Sequence, residues 1–143
     1  MSGAREPMAG YTLVELLVVL GIIGLLAVAA IPMLPAVQPA LHARVAAREL
    51  ADTLVLARQA AIARNRNVAV SFDPAGRRYA ITPGTAVHRL PQDVTLAIRS
   101  PAPDEIDFYA DGSTSGGIVT LGAARARRVV RVRWPAGQVS IDE

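Results

Sequence analysis

The chain has 143 residues and a formal charge of +3, and all 15 of its cationic residues are arginine. It has no cysteine, which excludes a disulfide framework and a thiolate metal site. Its few aromatics, Phe72, Phe108, Tyr11, Tyr79, Tyr109 and Trp134, are thin material for an aromatic-lined ligand pocket or a base-stacking surface. The length suits one compact domain plus one non-globular element.

From Tyr11 to Val37 the only ionisable charge is Glu15, and Leu16 to Ile31 is continuously apolar. With Tyr11 to Val14 this run approaches the ~20 residues that span a bilayer. A buried helix of a soluble domain has no need of so long an apolar run. A secretory signal peptide competes, because Ala27-Val28-Ala29 has the small residues of a cleavage site. Glu15 weighs against it: a carboxylate in hydrocarbon costs about 2.5–3.5 kcal/mol, which a discarded segment has no reason to carry. A subunit whose carboxylate meets a positive charge inside an assembly does have one.

Gly10-Tyr11-Thr12-Leu13-Val14-Glu15-Leu16-Leu17 resembles the prepilin motif of type IV pilins and pseudopilins, with Tyr11 where Phe is usual. The resemblance implies a leader over residues 1–10 with Arg5 on the cytoplasmic side, cleavage between Gly10 and Tyr11 by a prepilin peptidase, and N-methylation of Tyr11. It also implies a charge pair between Glu15 of one subunit and the Tyr11 amine of a neighbour. Each charge would offset the desolvation of the other, so Glu15 would set register. Gly21 and Gly24 would let helices approach closely.

Pro32, Pro35 and Pro39 interrupt the helix beyond its most apolar stretch, and a kink is expected near Pro32. Leu41 to Arg64 reads as helix again. Leu50, Leu54, Ala57 and Ala61 form one apolar stripe, Arg48 and Asp52 are a candidate i,i+4 pair, and Asn65-Arg66-Asn67 is the stop. Short strands with turn punctuation follow: 68–73, 77–82, 94–99, 105–109, 118–121, 129–134 and 139–141, with His88 in a loop. The expected fold class is α+β: a long N-terminal transmembrane helix continuing into an antiparallel, β-sandwich-like domain. The expected segments are a leader over 1–10, a transmembrane helix over 11–37, a packing helix over 38–66 and a periplasmic β domain over 67–143.

Ala57-Arg58-Gln59, Ile62 to Arg66 and Val68-Ala69-Val70 resemble the helix-to-strand passage of the GspH/FimT group of pilin-like proteins. Phe108 to Ile118 and Arg133 to Ile141 are similar to the C-terminal strands of the H pseudopilin. The resemblance implies a minor pseudopilin of type II secretion, single-pass in the inner membrane with its domain in the periplasm. Its implied partners are other minor and major pseudopilins, the inner-membrane assembly platform and the prepilin peptidase.

Catalysis needs converging groups, and here they are scarce. His42 and His88 lack metal-ligand neighbours at usable spacing, and neither an enzyme activity, a cofactor nor a metal is expected. Asp104, Glu105 and Asp107 read as a solvated acidic strand, and Asp111 to Gly117 as turn chemistry. Arg125, Arg127, Arg128, Arg131 and Arg133 are a candidate contact for a partner subunit or for DNA. The DNA alternative corresponds to a FimT-like minor pilin of DNA uptake and ranks second, because aromatic interleaving is missing apart from Trp134.

Overall fold

A computed structural model describes residues 12–30 and 34–142 of the chain. It divides into two compact units, residues 1–35 and 36–143, which are taken separately.

In the first unit, helix α1 spans Leu13–Ala30. Thr12 caps it: its Oγ1 accepts from the Glu15 N–H at 3.2 Å, and its carbonyl accepts from Leu16 N–H. Glu15 therefore occupies the third helical position of a Thr-x-x-Glu capping sequence, where a carboxylate also favours the positive helix end. The large apolar side chains from Leu13 to Leu26 are all exposed, from 46% at Val19 to 79% at Leu13. They circle the helix with no polar face. The expected kink at Pro32 lies outside the described residues.

Helix α2 spans Leu34–Ala63, and all of it from Ala36 onward belongs to the second unit. It begins seven residues before the expected Leu41 and runs through Pro39. Pro35 stands in the first turn, where a missing N–H has no intrahelical acceptor in any case, while Pro39 withholds one bond from a 30-residue helix. The helix ends where Asn65 takes a φ of +48° and Arg66 N–H returns to the Ala61 carbonyl, a left-handed cap that Asn tolerates. Leu50, Leu54, Ala57 and Ala61 are fully buried, and Ala43, Ala46 and Ala47 extend their stripe. Thr53 sits in the same stripe without cost to polar satisfaction, since its hydroxyl donates to the Glu49 carbonyl at 2.8 Å. Arg48 and Asp52 form no ion pair.

Eight strands follow: β1 Val68–Asp73, β2 Arg78–Thr82, β3 Val87–Arg89, β4 Thr95–Arg99, β5 Glu105–Phe108, β6 Gly117–Ala123, β7 Ala126–Arg133 and β8 Gln138–Asp142. They form two antiparallel four-stranded sheets, ordered β3-β2-β1-β5 and β4-β6-β7-β8. Alternation decides what each strand buries. Val68, Val70 and Phe72 of β1, Ile106 and Phe108 of β5, Val119 and Leu121 of β6, and Val130 and Val132 of β7 join the α2 stripe in one apolar cluster. Arg58 ties the helix to two loops. Its Nε donates to the Gly112 carbonyl at 2.8 Å, and a Cβ on Gly137 would meet that same nitrogen at 2.8 Å. Gly112 and Gly137 both have positive φ, +83° and +67°, so the loops that receive Arg58 need glycine twice over.

Candidate functional site

Three features carry chemistry: the apolar helix α1, a His–Asp pair between α2 and the loop before β4, and an arginine-bearing sheet face. Gly10 and Tyr11 lie outside the described residues, so the cleavage site and the amine partner of Glu15 do too. Gly21 and Gly24 have nothing within 4 Å of an added Cβ, so their backbones are open to another helix. Among the described residues no helix is long and apolar enough to cross a membrane. As described, α1 has 18 residues, about 27 Å of helix against a hydrocarbon core of ~30 Å. The apolar sequence continues on either side of it, through Tyr11 and Ile31, outside the described residues.

Both histidines have partners that their spacing in the chain concealed. His42 Nδ1 donates to Asp93 Oδ2 at 2.8 Å, joining α2 to the loop before β4. His88 is not in a loop but on β3, stacked on Tyr79 of β2 at 5.0 Å between ring centroids. Burial pushes the Tyr79 hydroxyl up, while a hydrogen bond with Thr53 works the other way. The His42 hydrogen bond holds the Asp93 carboxyl below its ordinary value. A carboxyl lowered by folding stabilises the native state above its unfolded pKa of about 3.9, and that contribution is lost as pH falls through the lowered value. Asp93→Asn is therefore expected to lower the thermal midpoint slightly at pH 7, with the difference from the parent chain closing as the pH is taken down through the carboxylate range. A difference that widens in acid would remove this pair from the account.

The acidic residues do not converge: among the described residues no group of three or more His, Asp or Glu could hold a metal ion. Asp107 is engaged through its backbone, its carbonyl accepting from the Thr114 hydroxyl at 2.7 Å and from Ser115 N–H at 3.0 Å. The Gly-rich loop is a turn. Asp111 Oδ1 accepts from both the hydroxyl and the N–H of Ser113, which lowers its pKa, and Gly112 and Gly116 supply positive φ.

The arginine cluster is divided by the strand period. Arg127, Arg131 and Arg133 of β7 share the exposed face of the second sheet. Arg128 falls on the alternate row opposite buried Leu121, and Arg125 lies in the β6–β7 turn beside Ala124, whose φ is +51°. Sequence reasoning missed Arg99. The register sets Arg99 of β4 opposite Ile118 of β6, and Ile118 opposite Arg131 of β7, so Arg99 and Arg131 flank one apolar residue. Only pairing between strands about twenty residues apart reveals this. A groove of about 400 Å³ runs over β6 between them, floored by Ala97, Ile118, Thr120 and Val129, with Arg127 at its end. A second hollow of about 450 Å³ shares Arg99, Ile118 and Arg131 and ends on Trp134, which is 71% exposed. Arg131 meets Asp142 of β8 at 3.4 Å, whereas Arg99, Arg127 and Arg133 make no ion pair with any described residue.

The family model for type II transport protein GspH matches residues 46–136, from the buried stripe of α2 to the turn before β8. The chain belongs to the GspH family. Its fold is similar to that of the minor pseudopilin EpsH from the type 2 secretion system of Vibrio cholerae, with a TM-score of 0.60 and 16% identity over 70% of this chain and 95% of that one. It is also similar to the type IV minor pilin FimU of Pseudomonas aeruginosa, with a TM-score of 0.57 and 19% identity over 70% of this chain and 92% of that one. No curated protein sequence matches the chain. This GspH-family chain thus has the α+β, pilin-like fold with antiparallel sheets.

Proposed function

We propose that this GspH-family chain is a minor pseudopilin of a type II secretion system, a structural subunit and not an enzyme. It would stand in the tip region of a short periplasmic pseudopilus that supports protein export across the outer membrane. The observation that carries the reading is α1: a helix apolar on every side, ahead of a compact pilin-like domain. A helix without a polar face needs a bilayer or the interior of an assembly around it. A pseudopilin uses both, first as a single-pass anchor in the inner membrane and then as the packed core of the filament. In this reading residues 1–10 are the leader, 11–37 the transmembrane helix with its kink near Pro32, and 38–143 the periplasmic portion. Other minor and major pseudopilins and the inner-membrane assembly platform are its partners.

The test is the N-terminus of protein recovered from cells that contain a prepilin peptidase. Mass spectrometry is expected to find Tyr11 first and N-methylated. An N-terminus at Ala30 would establish a signal peptide and remove the anchor.

A second reading, a FimT-like minor pilin that binds DNA for uptake, draws on the arginine face and on the likeness of fold to FimU. It stays second because the floor of the groove is apolar apart from Thr120, and Trp134 is the one aromatic beside it.

A further inference from the structure

We propose that the groove over β6 on the outer face of the second sheet is a docking site for an extended segment of another subunit. That segment alternates acidic and apolar residues: its carboxylate row faces Arg99 on the β4 side, and its apolar row faces Val129 and Trp134 on the β7 side. The proposal rests on the reading of the chain as a filament subunit and names the chemistry of one partner.

Three observations converge. Arg99 and Arg131 stand on strands either side of β6, about 9–10 Å apart at the usual strand spacing, which is the width of one extended chain lying between them. Arg99 and Arg127 have no counter-ion among the described residues, so the face carries unneutralised charge. The chain itself supplies an example of the contact in Asp142, which approaches Arg131 from β8 at 3.4 Å.

The floor selects the kind of partner. Ala97, Ile118 and Val129 would cover an alkyl side chain, and Thr120 is the one floor residue whose side chain could donate to a phosphodiester backbone. Trp134 is the largest exposed side chain of the domain, and exposed Trp beside Arg is the composition of an interface anchor. Gly116 makes room for it. There φ is +74°, and an added Cβ would lie 3.1 Å from the Trp134 Cβ, so the backbone beside the tryptophan must stay bare. From Arg127 to Arg133, where β7 ends, the face runs about 20 Å with Trp134 in the turn just beyond, enough for about six residues of an extended partner.

The experiment uses the full chain in detergent and fluorescence anisotropy of three probes. They are an octapeptide alternating glutamate and valine, one alternating glutamate and serine, and a 12-nucleotide single-stranded oligonucleotide. The glutamate–valine peptide is expected to bind best, with affinity falling as salt rises. Arg99→Glu and Trp134→Ala, both at exposed positions, should each weaken it at least about tenfold, while circular dichroism stays unchanged. The proposal is overturned if the peptide does not bind, if both variants bind it as the parent chain does, or if the oligonucleotide binds more tightly. Crosslinking of the chain to other pilin-like subunits in membranes separates the two levels. Crosslinking without peptide binding sinks the docking site alone, and peptide binding without crosslinking sinks the filament reading.

Discussion

Glu15→Ala is expected to insert in the membrane and lose its leader normally, yet to fail in assembly. Insertion becomes easier, because a carboxylate costing about 2.5–3.5 kcal/mol in hydrocarbon is gone. Leader removal should persist, because in the proposed reading the peptidase would recognise Gly10 and the leader on the cytoplasmic face. The loss falls on the contact with a neighbour, where the Tyr11 amine would be left buried without a partner, a penalty of roughly 3–5 kcal/mol. The geometry of α1 introduces a competing role, since Glu15 also occupies the third position after the Thr12 cap. A carboxylate at that end of an exposed helix contributes only about 0.3–1 kcal/mol, too little to account for a block in assembly. Glu15→Gln separates the two roles, because an amide can complete a capping box but carries no charge. Both variants should therefore lose crosslinking to other pseudopilins and support little secretion. Recovery of assembly in Glu15→Gln would transfer the role of Glu15 from charge pairing to capping. Full secretion in Glu15→Ala would end both accounts.

The second large effect lies in the core. Phe108→Ala should destabilise the domain by about 3–5 kcal/mol, the usual range for removing a buried phenyl ring. Phe108 is fully buried, pairs in register with Val68 of β1 and bridges to Thr114, so the cavity would open where β1, β5 and the Asp111 turn meet. A domain of this size has roughly 5–15 kcal/mol in total, so the variant would stand near the edge of folding at 37 °C. Urea unfolding of the full chain in detergent, followed by circular dichroism, should show a lower midpoint at unchanged slope. Leu56→Ala, at an exposed position of α2, should shift the midpoint by less than about 0.5 kcal/mol in equivalent stability. Equal shifts for the two variants would contradict the burial that defines this core.

Much of the architecture is determined by the sequence alone, because it follows from local periods. The spacing of Leu50, Leu54, Ala57 and Ala61 places them on one helical stripe, and all four are fully buried. Alternation in Val68 to Asp73 and in Val130 to Arg133 assigns inward and outward side chains without knowledge of the partner strands. The same alternation carried on to Trp134 would turn it inward, whereas β7 ends at Arg133 and Trp134 is exposed in the turn. The exposure of α1 follows as directly, since a run with one charge has no polar face to turn toward water. What only the tertiary structure decided depends on neighbours distant in the chain. Pro39 looked like an interruption, yet a long helix held by its buried stripe absorbs one missing bond. His42 and His88 looked isolated because Asp93 and Tyr79 reach them across the fold. The arginine cluster reads as five residues in nine, but the period of β7 turns Arg128 onto another row, and the pairing of β4 with β6 brings in Arg99. A local period says which way a side chain points. It cannot say what lies across from it, because strand pairing is settled by closing loops and burying a shared core, to which every strand contributes at once.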